Sequence, residues 1–199
     1  MKSSILLISL IAILAGCSVA PMNTATTART LGTDNNQVTG SFPVVGVKYE
    51  RGINDRFDLG VGLESQMGTV AHVFGKYSIE NKGEKGVSSA AIFGAGYGTG
   101  AGDSKSAYLG PIVSYRDDVF EVFGAYKISY VHWDFAGLSS DDKDDLISVP
   151  SSESNFVYHE MDFGISIVQE KWLATVGGKI FFFPDSTSST PFVDVAYKF

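Results

Sequence analysis

Apolar and polar residues alternate with a period of two from Val38 to the end of the chain, and this pattern constrains the fold more than any other feature. It is typical of β-strands, because successive side chains of a strand point to opposite faces. No stretch with helical periodicity competes with it. Clusters of turn-forming residues divide the pattern into nine runs, which we interpret as strands: 38–51, 56–66, 69–79, 88–98, 105–116, 119–132, 155–169, 171–183 and 191–199.

The length of these runs indicates the medium in which the strands lie. Strands of soluble proteins usually contain about five or six residues. A tilted strand needs about 9–11 residues to cross the hydrocarbon of a bilayer, and most of the runs reach that length. The runs therefore favour strands that cross a membrane.

The two faces of the runs differ in chemistry. One face of 119–130 carries Phe120 and Ile128, whereas the other carries Glu121 and Lys127. Over all runs, seven acidic and six basic residues lie opposite the apolar faces: Lys48, Glu50, Asp58, Glu64, Lys76, Arg116, Glu121, Lys127, Glu160, Asp162, Lys179, Asp194 and Lys198. This near balance predicts a small barrel with paired charges inside and lipid outside. A soluble antiparallel β-sandwich is the alternative.

The beginning of the chain has the features of an export signal. Lys2 precedes the apolar run 5–14, which is too short to span a bilayer. The run ends in the four residues Leu14 to Cys17, which resemble the lipobox of bacterial lipoproteins. In that family, cleavage precedes the cysteine and a diacylglycerol is attached to its thiol. The resemblance implies a signal peptide at 1–16 and lipidation, including palmitate, at Cys17, the only cysteine.

The end of the chain resembles a second bacterial signal. Phe199 follows the alternating Val193, Val195 and Tyr197, a pattern similar to the C-terminal signal of bacterial outer-membrane β-barrels. Together with Ser18 directly after the lipobox cysteine, this resemblance implies a protein of the outer membrane. No single characterised family is matched by it.

We therefore expect an all-β protein, an antiparallel up-and-down transmembrane β-barrel of 8–10 strands. Residues 17–36 show no apolar periodicity and are interpreted as a lipidated linker, and 37–199 as the barrel domain. Nine runs place the two ends of the barrel on opposite sides of the membrane. Three explanations stay open: Gly40 and Pro43 divide the first run, one run lies outside the barrel, or the lipid on Cys17 sits in the outer leaflet. We expect ten strands, with eight as the alternative.

Composition argues against several kinds of partner. The chain has 22 acidic and 15 basic residues and a net charge of −7 without a basic run, so nucleic acid is not an expected partner. One Cys and three His do not make a zinc cluster. We expect no cofactor and no metal, and the partners we expect are membrane lipid and the covalent diacylglycerol. The sequence does not identify a protein partner.

The densest charge cluster lies in the segment 133–154, which we expect outside the cell as the longest loop. Its acidic residues Asp141, Asp142, Asp144 and Asp145 are candidates for a surface contact. The cluster lacks the glycine and terminal glutamate of a twelve-residue calcium loop.

Catalysis is the weaker interpretation. His72 lies on a polar face and His132 at the predicted outer rim, and either needs a serine and a carboxylate to act as a base. We therefore expect no enzyme but a lipid-anchored outer-membrane barrel with a filled lumen and a structural or surface-interaction role. The alternatives are an outer-membrane enzyme that modifies lipid and a soluble periplasmic β-sandwich lipoprotein that binds a ligand.

Overall fold

The structure, a computed structural model, describes residues 20–22, 24, 26–65, 68–82, 85–100, 102–135 and 152–199. These residues form ten strands: β1 Asn36–Phe42, β2 Val45–Asn54, β3 Phe57–Ser65, β4 Thr69–Glu80, β5 Gly86–Thr99, β6 Gly102–Arg116, β7 Phe120–Phe135, β8 Ser152–Val168, β9 Trp172–Phe183 and β10 Ser186–Lys198. Every strand is antiparallel to the next, and β1 pairs with β10 to close the barrel. No helix within the described ranges is long and apolar enough to cross a membrane.

The number of strands agrees with the predicted ten and resolves the odd count of runs. Residues 43 and 44 form a turn that divides the first run into β1 and β2. Proline lacks the N–H group that a strand interior needs, which favours a turn at Pro43. An up-and-down barrel with an even number of strands begins and ends on the same side.

One turn is shorter than the sequence pattern indicates. Residues 186–190, which we predicted as part of a turn, belong to β10 and pair with β9, for example Thr187 with Phe182. Ser and Thr are common in turns, but Thr is also compatible with strands because of its branched side chain.

The two ends of the barrel differ in their connections. At the end that we call the terminal end, β1 begins, β10 ends, and turns such as 55–56 and 117–119 are short. The opposite end, which we call the loop end, carries the connection 136–151 between β7 and β8, whose residues lie outside the described part of the chain. Barrels of the outer membrane have short turns in the periplasm and longer loops outside the cell. By this rule, the connection 136–151 predicts that the loop end is the outer end.

The exterior of the barrel is apolar and its lumen is charged. Leu59, Val61 and Leu63 on β3 are each about half exposed, between 49% and 51%. Of the thirteen charged residues predicted on the inner faces, eleven are buried, and Arg116 and Lys198 are half-buried. A soluble protein has the opposite arrangement, so the β-sandwich alternative is wrong and the predicted transmembrane barrel is confirmed.

Aromatic side chains follow the expected distribution only in part. At the terminal end, the ring of Tyr197 lies 4.7 Å from Trp172 and 6.2 Å from Phe199, measured between centroids. Such a group suits the boundary between lipid and water. Tyr108 and Tyr158, in contrast, are buried in the lumen. These two tyrosines therefore pack in the interior and do not belong to a boundary group.

A charge placed on the outer face distinguishes a lipid-facing surface from a water-facing one. We expect Leu109→Arg, at the middle of β6, to lower the free energy of unfolding by about 2–4 kcal/mol, because an arginine at the bilayer midplane is poorly solvated. Val45→Arg, at the loop-end edge of β2, is the control and should cost about 0–1 kcal/mol. Urea unfolding in lipid vesicles, followed on gels by the shift from folded to unfolded mobility, measures both. Equal effects would contradict a lipid-facing exterior.

Candidate functional site

The lumen contains a cluster of four fully buried charges at the middle of the barrel. Lys127 Nζ lies 2.8 Å from Glu160 Oε1 and 3.1 Å from Asp162 Oδ2. Lys179 Nζ lies 3.3 Å and 3.2 Å from the same two oxygens. The register explains this cluster, since Lys127 pairs directly with Glu160 and Asp162 with Lys179 across neighbouring strands. Each charge is thereby neutralised where water is scarce.

A second cluster lies closer to the terminal end. Lys76 Nζ contacts Glu50 Oε1 at 2.7 Å and Asp58 Oδ2 at 3.0 Å. Asp58 and Lys76 are cross-strand partners of β3 and β4. This cluster contains two carboxylates for one ammonium group, and the Leu31 amide donates to both oxygens of Asp58, each at 3.1 Å.

Leu31 belongs to a segment that the composition alone does not place. We call residues 20–34 the lumenal segment; two of them, 23 and 25, lie outside the described residues. The segment runs lengthwise through the barrel, from the loop end to the terminal end, and continues there into β1. The predicted division into a signal peptide (1–16), a lipidated linker (17–36) and a barrel domain (37–199) stays a prediction.

The lumenal segment enters at the loop end through apolar and polar contacts. Ala20 is buried against Val131, Tyr158 and Phe181 of three wall strands. The Met22 amide donates to Glu64 Oε1 at 2.8 Å, near the end of β3. These contacts fill the loop end of the lumen.

Further along, the segment contacts the charged middle and then the terminal end. Thr24 Oγ1 accepts a hydrogen bond from Lys127 Nζ. Ala28 is buried in an apolar cluster with Phe74 and Tyr108. At the terminal end, the Asp34 amide donates to the Gly52 carbonyl at 3.1 Å.

Arg29 of the lumenal segment balances the charge of the wall. Its Nε lies 3.3 Å from Glu121 Oε1, and both side chains are almost fully buried. Its Nη2 also donates to the Gly86 carbonyl at 2.7 Å. The thirteen wall residues comprise seven acids and six bases, so Arg29 makes the two signs equal. A buried unpaired carboxylate is costly, and the segment removes this cost.

Two wall glycines provide space for the segment. A Cβ at Gly96 would lie 2.6 Å from Pro21 Cγ, and a Cβ at Gly52 would lie 1.9 Å from the Gly32 carbonyl oxygen. Both distances are shorter than side chains allow. The close approach at Gly96 agrees with the interpretation that glycines in a strand mark close packing in a small barrel.

A cavity of about 330 Å³ lies between the segment and the wall at the terminal end. Its lining includes Arg29, Arg116 and Lys198 together with Glu121 and Asp194. The wall and the segment thus leave space for small molecules at the terminal end, while the apolar cluster around Ala20 fills the loop end.

Within the described residues, neither His72 nor His132 has the serine partner that a hydrolase needs. His72 is buried, its ring lies 5.7 Å from that of Phe74, and neither ring nitrogen has a hydrogen-bond partner within the described residues. At the loop end, His132 Nδ1 lies 2.8 Å from Asn155 Oδ1, and its Nε2 lies 3.2 Å from Asp134 Oδ1. Both ring nitrogens of His132 thus face side-chain oxygens, those of Asn155 and Asp134.

The predicted site residues lie outside the described part of the chain. This applies to Cys17 and to Asp141, Asp142, Asp144 and Asp145. Lipidation and the surface contact therefore stay predictions. Among the residues that the structure describes, no group of three or more His, Cys, Asp or Glu side chains could hold a metal ion.

Comparisons with known proteins do not assign a family. No family profile and no curated protein matches the sequence. The N-terminal β-barrel domain of Pseudomonas aeruginosa OprF is similar in structure, with 11% identity, 84% of this chain and 99% of that chain covered, and a TM-score of 0.39. Ail, the attachment invasion locus protein of Yersinia pestis, shows 12% identity, the same coverage of 84% and 99%, and a TM-score of 0.46. Both similarities are too distant to assign a function.

The four-charge cluster makes a testable prediction about pairing. We expect Lys179→Met to lower the free energy of unfolding by about 3–5 kcal/mol, because Asp162 loses its cross-strand partner in a dry interior. The double variant Asp162→Leu with Lys179→Met should lose clearly less, since Lys127 and Glu160 still pair. Urea unfolding in lipid vesicles measures the double variant and the two single variants, Lys179→Met and Asp162→Leu. If the double variant lost the sum of the two single effects, the charges would not act as a pair.

Proposed function

We propose that this protein is a lipid-anchored β-barrel of the bacterial outer membrane with a structural or surface-interaction role. The filled lumen carries this proposal. A barrel of this size has room for little more than its own side chains, and here Ala20, Thr24 and Arg29 occupy part of that room. A wide aqueous pore is therefore excluded, and we assign the function to the exposed surfaces of the protein.

The surface that we propose for contact is the connection 136–151. It joins the two longest strands, β7 and β8, at the loop end. Its Asp141, Asp142, Asp144 and Asp145 give it a negative charge that Lys143 offsets only in part. Charged rims of this kind steer and select partners of opposite charge, so we propose a cationic partner.

Lipidation is tested by metabolic labelling with an alkyne analogue of palmitate. We expect the wild-type protein to incorporate the label and Cys17→Ser to lose it, because Cys17 is the only thiol in the chain. Both proteins should stay in the membrane pellet at alkaline pH, since the barrel itself spans the bilayer.

The two outcomes are independent of each other. An unlabelled wild-type protein would refute the lipid anchor, and release of Cys17→Ser by alkali as a soluble species would refute the membrane barrel. Because Cys17→Ser can block removal of the signal, a chain with a non-lipoprotein signal in place of 1–16 serves as the second variant.

The acidic cluster is tested with a fluorescent oligolysine peptide and the purified protein in neutral detergent. Replacing the four aspartates 141, 142, 144 and 145 by asparagine should weaken binding about tenfold at low salt, since each exposed ion pair contributes about 0.2–1 kcal/mol. The control, Asp117→Asn with Asp118→Asn at the terminal end, should leave binding unchanged. Equal losses in both variants would show that only the overall charge matters.

A further inference from the structure

The path of the lumenal segment fixes the side of the membrane on which the chain begins. Ala20 contacts Val131, Tyr158 and Phe181, which lie near the loop-end limits of β7, β8 and β9. Residue 36 starts β1 at the terminal end, where its amide donates to the Phe199 carbonyl at 3.0 Å. The described part of the segment therefore spans the barrel, with Ala20 at the loop end and Asn36 at the terminal end.

The reach of the chain restricts the position of Cys17. Cys17 precedes Ala20 by three residues, and three extended residues span at most about 11 Å. The apolar band of an outer-membrane barrel is about 25 Å tall. From the loop end, Cys17 cannot reach the leaflet that surrounds the terminal end.

Residues of the barrel wall contact the lumenal segment at several points along its path. Glu121 is paired by Arg29 and the Asp58 carboxylate accepts from Leu31. Gly96 provides the space that Pro21 occupies. These partners occur at both ends of the lumen, so the segment is held along its whole length.

We propose that the barrel carries its own amino terminus through its lumen to the cell surface, where the acyl chains on Cys17 insert into the outer leaflet. The position of the lipid rests on the proposed lipidation of Cys17, whereas the exposure of the terminus does not. Two of the explanations given for the nine predicted runs are thus combined in this proposal: the first run is divided at Pro43, and the lipid on Cys17 lies in the outer leaflet.

The test adds one cysteine at each of three positions, with Cys17 retained, and treats living cells with a bulky maleimide that does not cross the outer membrane. Val19→Cys reports the amino terminus, Asp142→Cys the loop end and Asp118→Cys the terminal end. We expect Val19→Cys and Asp142→Cys to show the gel shift of the adduct in intact cells, and Asp118→Cys only after the outer membrane is permeabilised. Heat-modifiable migration on gels confirms that each variant folds.

A second variant covers the case in which residue 19 itself is shielded. A short affinity tag inserted between Ser18 and Val19 should be bound by its antibody on intact cells, whereas the same tag inserted between Asp117 and Asp118 should require permeabilisation. If both amino-terminal probes reacted only after permeabilisation while Asp142→Cys reacted before it, the proposal would be refuted. Labelling of the unsubstituted protein would instead reveal a free Cys17 thiol, which refutes the lipid anchor and not the surface exposure.

Discussion

The requirement to pair every charge inside a narrow, lipid-surrounded lumen is the constraint on which the rest of this structure depends. Because the exterior of the barrel is apolar, the charged side chains of the strands point into the lumen. Bulk water does not solvate them there. Direct cross-strand pairs such as Asp58 with Lys76 and Asp162 with Lys179 solve most of this problem within the sheet. Glu121, whose cross-strand partner is Arg116, is also paired from outside the sheet by Arg29. The wall and the lumenal segment therefore form one electrostatic unit.

This dependence gives the lumenal segment a role that differs from that of a linker. Its backbone amides donate to wall carboxylates, as Met22 does for Glu64 and Leu31 for Asp58, and its one guanidinium forms an ion pair with Glu121. A wall with an excess of acid is incomplete without such donors. The loop end is filled by apolar packing around Ala20, whereas the terminal end retains a cavity lined by charges of both signs.

The strands and the inner charges could be predicted from the sequence because both follow from a period of two. Once Lys127 and Glu160 fall on polar faces of adjacent runs, the barrel brings them together. The turn at Pro43 could be predicted from the missing N–H group. The position of Tyr108 and Tyr158 could not, because an aromatic residue suits a lipid boundary and a packed interior equally well.

The path of residues 20–34 could not be predicted at all. The segment has no periodicity, and its contacts change along its length: Met22 donates to Glu64, Thr24 accepts from Lys127, and Leu31 donates to Asp58. The sequence shows that the wall has one more acidic than basic residue. No sequence feature near Arg29 indicates that this arginine lies in the lumen and balances the charge. For Cys17 and the aspartates of 136–151, the sequence remains the source of the prediction.

The continuity between the lumenal segment and β1 has a consequence for the order of assembly. β1 follows the segment directly and also forms the seam with β10. A finished ring of ten strands has room for little more than its own side chains. Threading residues 20–34 through it afterwards is therefore unfavourable, and we expect them to lie along the inner face of the growing sheet before β1 and β10 pair.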